Sequence, residues 1–328
     1  MKDQHPKTAL ILGSTGRFGR HMTEKLYQDG WNVICQSRSG GIPKLQEQGQ
    51  NSGNSETPDT PSAKIEVLKA DIYDSALEEA ARRADIIVHA INPPYPQWQS
   101  QMPGVIRQVI SLAKAGECSL IVPGNVYNFG KTMPEVLTAS TKQAAETKKG
   151  QLRIEMEEQL RAASNEGVQV IILRIGDFLE AQSSGNWFDT HMTAKLHKGR
   201  FMYPGKTDIA HAWGYLPDAA RAAVELANTR KTLPMFNDIP FAGITMTGEQ
   251  MRQQIEKTLA RPIRLETFPW TAVKLMSLFN RNMREVLEMR YLWDTPHQLD
   301  ACELTKLLPD FQPTPVEQMF DDLLSVRK

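Results

Sequence analysis

A short apolar run, Thr8–Leu12, leads directly into Gly13-Ser14-Thr15-Gly16-Arg17-Phe18-Gly19, and a helix-like segment follows. The pattern is G-x-x-G-x-x-G, and its placement constrains the fold more than its glycines do. A strand feeding a helix through a glycine turn points unpaired backbone N–H groups at one spot, where the helix dipole adds partial positive charge. A pyrophosphate fits that spot. Strand, turn, helix and N-terminal position all agree. Gly13, Ser14, Thr15, Gly16, Arg17, Phe18 and Gly19 are therefore the expected dinucleotide contacts, with a plain tight turn as the blander alternative.

The alternation continues. Asn32–Gln36, Ile65–Lys69, Ile86–Ala90, Leu120–Val122 and Val168–Ile175 read as strands. Phe18–Gln28, Ser75–Arg83 and Val105–Ala115 read as helices, and Leu152, Met156, Leu160 and Ala163 mark another amphipathic one. Short apolar runs alternating with helices predict an α/β fold, a doubly wound parallel sheet of the Rossmann type. After Ile175 the alternation fades. Asp218 reads as the N-cap of a helix over Ala219–Asn228, Pro234–Asn237 as a strand returning to the sheet, and Thr245 or Thr247 as the cap of the first C-terminal helix. The expected division is a dinucleotide-binding domain over residues 1–180, with 208–240 returning to it. A smaller, mostly helical substrate lobe takes 181–207 and 241–328, packed over the carboxyl ends of the strands. The polar stretch Gln46–Ser62 reads as a mobile surface insertion.

Lysine plus arginine and aspartate plus glutamate both number 38. That balance argues against a nucleic-acid partner and against an acidic tail. Cys35, Cys118 and Cys302 are far apart and form no metal spacing or disulfide framework, so a reducing, cytoplasmic setting is expected. No signal peptide is visible at the start. No segment reaches the roughly 20 apolar residues of a membrane helix, so no membrane partner is expected.

The end of the second strand discriminates between cofactors. A carboxylate there would hold the adenosine ribose hydroxyls of NAD. This chain has Gln36-Ser37-Arg38-Ser39. The Ser37 hydroxyl and the Arg38 guanidinium suit a 2′-phosphate, which favours NADP over NAD. The alternative is that Arg38 is a solvated loop charge.

Several motifs together resemble the extended short-chain dehydrogenases/reductases, the family of NAD(P)-dependent epimerases and dehydratases. They are Gly13–Gly19, Lys69-Ala70-Asp71-Ile72, Val88-His89-Ala90-Ile91-Asn92, Val126–Gly130, Leu173–Phe178 and Ala212–Asp218. The resemblance spans residues 8 to 240. It implies that Asp71 and Ile72 flank the adenine, that Ala90, Ile91 and Asn92 line the middle of the cofactor, and that a small molecule is the substrate. It also implies a homodimer through paired helices.

The family's active site carries Tyr-x-x-x-Lys on a helix, plus an upstream serine. The tyrosinate is the acid/base, and the lysine lowers its pKa and holds the nicotinamide ribose. Here Ala145 stands four residues before Lys149, Ala144 four before Lys148, and Val122-Pro123-Gly124-Asn125 replaces the serine segment. Lys149 is either the ribose contact or a solvated lysine. The one numerical match, Tyr127-Asn128-Phe129-Gly130-Lys131, falls in an expected loop, where four-residue spacing does not put two side chains on one face. Tyr127 is then an acid/base near the nicotinamide or a packing tyrosine, and Asn125 a group that orients a carbonyl. Asn125-Val126-Tyr127, Lys148-Lys149-Gly150 and Arg153 together resemble the atypical subgroup of the family, which keeps the cofactor features and lacks the tyrosine.

Other groups have plainer readings. His89 reads as a core histidine. His191 and His197 have no carboxylate cluster at ligand spacing. Pro93–Trp98 is a stiff loop that either closes over substrate or caps the sheet. Trp187, Phe188, Phe201, Tyr203 and Trp213 line a pocket or pack the lobes together. Met283–Trp293 reads as core or as a dimer face. Two functions follow: an NADP-dependent oxidoreductase or epimerase acting on a small hydroxyl- or carbonyl-bearing molecule, or a non-catalytic NADP(H)-binding redox sensor or scaffold that acts through a protein partner.

Overall fold

In the computed structural model, residues 6–41 and 63–327 are described; the expected insertion over 46–62 lies outside them. The inner apolar runs form strands because both their faces are covered, and a parallel sheet flanked by helices needs no polar alternation, while the edge run Ile65–Lys69 is only half-buried. The strands are β1 (Thr8–Leu12), β2 (Asn32–Ser37), β3 (Ile65–Lys69), β4 (Ile86–His89), β5 (Ser119–Gly124), a two-residue β6 (Val136–Leu137), β7 (Val170–Arg174), β8 (Asp177–Leu179), β9 (Arg200–Tyr203), β10 (His211–Tyr215), β11 (Phe236–Pro240), β12 (Ile244–Met246), β13 (Arg264–Thr267) and β14 (Gln298–Leu299). The main sheet is parallel throughout, in the order β11-β7-β5-β4-β1-β2-β3. The chain's winding reverses between β1 and β4, which is the switch point where doubly wound sheets leave a crevice.

Helices α1 (Arg17–Gln28) and α5 (Leu216–Thr229) cover one face of the sheet, with Phe18, Met22, Leu26, Leu216, Ala220 and Ala223 in that core layer. Helices α2 (Ala76–Arg82), α3 (Trp98–Gly116) and α4 (Lys148–Asn165) cover the other, through Leu77, Ile106, Val109, Met156 and Leu160. The remainder comprises α6 (Gly248–Leu259), α7 (Trp270–Met276), α8 (Arg281–Glu288), α9 (Cys302–Leu307) and α10 (Val316–Ser325), with β8, β10 and β12 forming a small separate sheet.

Three expected boundaries move, each for a visible reason. α3 begins at Trp98 rather than Val105, because Trp98 and Met102 extend the same buried stripe and the Pro93–Trp98 segment becomes a 3-10 turn, Tyr95–Gln97, running into the helix. The returning strand is Phe236–Pro240, not Pro234–Asn237. Asp218 is not an N-cap. Tyr215 holds that position, and the Asp218 carboxylate instead accepts from Thr314 N and Thr314 Oγ1, both at 2.7 Å, tying α5 to the C-terminal segment. Thr247 does cap α6, in a reciprocal box with Gln250. The aromatic group Phe188, Phe201, Tyr203 and Trp213 is fully buried in one cluster with Trp270 and Phe320, so its role is packing within the C-terminal lobe.

Candidate functional site

The glycine turn is shaped by contacts at two of its residues. Gly13 sits at φ +83°, and a Cβ there would lie 3.0 Å from the backbone of Ala90 and Ile91. Only glycine allows β1 to end so close to the carboxyl end of β4. A Cβ on Gly19 would meet the Gly13 carbonyl at 2.2 Å, so α1 starts against the turn. Gly16 is the N-cap of α1 and provides no side-chain cap. The first amides of the helix are therefore left for a ligand.

Gln36 supports this turn from β2. Its Oε1 accepts from Gly13 N at 2.8 Å and its Nε2 donates to the Ala70 carbonyl at 2.7 Å. Ser14 Oγ donates to the Gln36 carbonyl at 3.0 Å. The side chain at the end of β2 is thus used up as a strut, and Ser37 is buried while Arg38 is exposed beside it. Asp71 is exposed, Ile72 buried, Ala90 and Ile91 partly open, and Asn92 exposed. All of these lie along the carboxyl edge of the sheet. Arg17 is placed differently from the sequence expectation. Its Nε and Nη2 donate to Ser184 Oγ (3.1 Å) and to the Ser184 carbonyl (3.0 Å), so it fastens the segment after β8 over the turn. Asp189 holds the same segment by accepting from Ser184 N at 2.6 Å.

The second half of the site is built from side chains. Tyr127 lies in a 3-10 turn, Tyr127–Phe129, and its hydroxyl is 2.8 Å from that of Tyr95. Asn125 Oδ1 accepts from Tyr127 N at 3.0 Å, so the Asn125 side chain shapes the turn that aims Tyr127. Arg174 fixes that turn from beneath. It donates to the Asn125 carbonyl at 2.6 Å and pairs with Glu157 (2.7 Å) and Asp238 (2.5 Å), joining β7, α4 and β11. Burial first, then the neighbouring Tyr95 and Asp177 oxygens, pushes the Tyr127 phenol well above its ordinary pKa; Tyr95 is raised by burial too. Tyr127 at neutral pH is a neutral hydrogen-bond donor and not a tyrosinate.

Helix α4 starts at Lys148, with Thr147 as its N-cap accepting from Gly150 N. Gly150 lets this first turn touch the Tyr127 backbone, since a Cβ there would lie 2.6 Å from the Tyr127 carbonyl. Ala145 precedes the cap, so Ala145 and Lys149 do not share a helical face. The pair with that spacing on one face is Lys149 and Arg153. Lys149 is buried, so the reading of it as a solvated lysine is overturned. Its Nζ pairs with Glu285 and with Glu288 (2.5 Å) of α8 and lies 5.1 Å from the centre of the Tyr95 ring. The Arg153 guanidinium lies 4.8 Å from the Trp98 ring, and its buried Nε has no hydrogen-bond partner. Burial lowers the Arg153 pKa, as it does for His89, whose value falls to about 3 with the Arg153 charge assisting.

Sequence reading missed three contributors. Glu285 and Glu288 lie about 140 residues beyond Lys149 with no motif of their own. Asp177 pairs with His211 at 2.8 Å across the small sheet, and its charge reaches Tyr127 and Tyr95. The strand motifs around Asp177 and Trp213 were the available signal, because they predict adjacent strands. Among the described residues no group of three or more His, Cys, Asp or Glu is disposed to hold a metal.

The strand order and the glycine turn at the switch point define a doubly wound, Rossmann-type fold. Within that class the chain belongs to the NmrA-like family, which matches residues 5–320. Sequence comparison with curated proteins gives no match. Similar solved structures include MoeE5 in complex with UDP-glucose and NAD (13% identity, 98% of each chain, TM-score 0.72). Another is the UDP-Glc/GlcNAc 4-epimerase of Campylobacter jejuni (15% identity, 98% of each chain, TM-score 0.69). A third is L-threonine dehydrogenase of Clostridium difficile (20% identity, 98% of each chain, TM-score 0.71). At these identities the likeness is one of fold.

Proposed function

We propose that the protein is an NADP-dependent oxidoreductase or epimerase acting on a small hydroxyl- or carbonyl-bearing substrate. One observation carries this reading: the glycine turn and the Lys149–Arg153–Tyr127 cluster open on the same carboxyl edge of one parallel sheet, on either side of the end of β4. The residues fit a dinucleotide. The uncapped amides of α1 meet the pyrophosphate, and the exposed Arg38, with no carboxylate at the end of β2, suits a 2′-phosphate. Asp71 and Ile72 take the adenine, and Ala90, Ile91 and Asn92 the middle. The unpartnered Arg153 Nε is a buried donor awaiting an acceptor, as the nicotinamide-ribose diol would be.

When bound, the cofactor supplies hydride transfer. The chain's own residues do the rest. Tyr127, kept neutral by burial, donates a hydrogen bond to the substrate oxygen. Lys149, buried one helical turn before Arg153 and ion-paired to Glu285 and Glu288, is the cation that takes the nicotinamide ribose. Asn125 positions Tyr127 through the bond its Oδ1 accepts from the Tyr127 N–H.

Calorimetry with NADPH and NADH, on the wild type and on Arg38→Ala, tests the cofactor half. Tight NADPH binding that the substitution selectively weakens supports the reading; binding of neither cofactor removes it. Turnover of an aldehyde, ketone and sugar-nucleotide panel, lost in Lys149→Met, supports catalysis. NADPH binding with no turnover, together with a protein partner that selects one redox state, supports the redox sensor instead.

A further inference from the structure

The hairpin that carries Glu285 and Glu288 has a second face. From the last turn of α7 into the link before α8 the chain exposes Leu275, Met276, Leu278 and Phe279 around the buried Ser277, and Phe279 is 89% exposed. These are four of the nine large hydrophobic residues the described structure exposes, and they occupy five consecutive positions. Lys274, Arg281 and Arg284 flank them, all exposed, and no acidic residue occurs between Glu266 and Glu285. Arg281 reaches Glu285 only at 3.9 Å, and α8's remaining apolar residues, Met283, Val286 and Leu287, turn inward onto the lobe core.

We propose that this tip docks the protein on an anionic lipid surface, with Leu275, Met276, Leu278 and Phe279 entering the acyl boundary and Lys274, Arg281 and Arg284 meeting the phosphates. Charge and shape both select this occupant. A two-fold contact with a second copy would set the three cations against their own symmetry mates. A tip of five residues is also far short of the roughly 20–30 residues a stable protein interface needs on each side. A bilayer requires no matching shape, takes apolar side chains at its boundary and attracts a cationic collar. Among the described residues no helix is long and apolar enough to cross a membrane, so the contact is interfacial. The proposal does not depend on the dinucleotide reading.

The test is co-sedimentation of the full chain with phosphatidylcholine vesicles, with and without about one third phosphatidylglycerol. The bound fraction is expected to be high on anionic vesicles, at least fivefold lower on neutral ones, and reduced by salt. Leu278→Ser with Phe279→Ser should abolish binding, and Arg281→Glu with Arg284→Glu should reduce it severalfold. All four positions are exposed, and unchanged melting temperatures check that the variants fold. No binding above background, or binding that survives Leu278→Ser with Phe279→Ser, overturns the proposal. So does a concentration-dependent dimer in sedimentation equilibrium that the same pair dissolves while vesicles remain unbound.

Discussion

The two halves of the site are made of different material. The glycine turn is backbone: amide groups, two close approaches and one side-chain strut, all from residues 13–36 and the adjoining end of β4. The cluster beyond β4 is side chain. It brings together Tyr95 and Trp98, Asn125 and Tyr127, Lys149 and Arg153, Asp177 with His211, and Glu285 with Glu288. Six separated segments must be placed before the cluster exists. A backbone site tolerates substitutions that spare the glycines, whereas a side-chain cluster depends on whatever holds its segments in register.

Arg174 is that support, and its loss is the largest effect expected. Arg174→Met leaves Glu157 and Asp238 as buried carboxylates without their cation and frees the Asn125 carbonyl. Removing one partner of a buried pair costs about 3–5 kcal/mol. Urea unfolding at pH 7 checks this; a cost below about 1 kcal/mol would show the cluster is held otherwise. Burial already raises the Asp238 carboxyl, so the variant's deficit should shrink as the pH falls toward 5.

The same contrast explains what could be read from the residues. The seven-stranded sheet followed from apolar runs of strand length, and the glycine turn from seven consecutive residues, since both are local patterns. Lys149 was found because it stands near a known helix start, but its burial against α8 was not, because no local pattern connects Lys149 to Glu288. Arg17 shows the opposite failure. It sits inside the motif, yet tertiary contact with Ser184 claims its guanidinium. Helix α4 starts at Lys148, and its cap at Thr147, fixed by the bond to Gly150, leaves Ala144 and Ala145 outside the helix.

Two histidines mark the two halves and titrate alike. His89 at the end of β4 and His297 against His211 are both lowered to about 3, by burial first and then by a neighbouring cation or imidazole. Their ordinary value is near 6.5, so the unfolded chain takes up protons between about pH 6.5 and 3 that the folded chain refuses. Stability therefore falls as pH falls through that window, by about 1.4 kcal/mol per pH unit for each histidine once well below 6.5. Unfolding midpoints from pH 7.5 to 5 measure the slope. His89→Asn should remove the share of the cofactor half and His297→Gln that of the lobe. A slope unchanged in the double variant would break the assignment.

Gly13→Ala probes the backbone half alone. A left-handed φ costs a residue with a Cβ about 1–2 kcal/mol, and here the new Cβ also presses on the backbone of Ala90 and Ile91. A loss of about 2–3 kcal/mol is expected. It should come with loss of NADPH binding and an undisturbed near-ultraviolet signal from Trp98 beside Arg153. If the Trp98 signal collapses as well, the two halves are one cooperative unit.

Tyr127→Phe is the smallest and the most discriminating change. It deletes the bond to Tyr95 and nothing else, so a stability change of about 0.5–1.5 kcal/mol is expected. The phenol's raised pKa sets Tyr127 apart from the tyrosinate that the Tyr-x-x-x-Lys resemblance implies. Here ultraviolet titration should find Tyr127 still protonated at pH 10.5, as the difference between wild type and Tyr127→Phe. A tyrosinate appearing near pH 7–8 would return the acid/base role to Tyr127. An absorbance that stays silent through pH 10.5, with turnover lowered but not abolished in the variant, fits a neutral donor. In that outcome Tyr127 binds the substrate oxygen without giving up its proton.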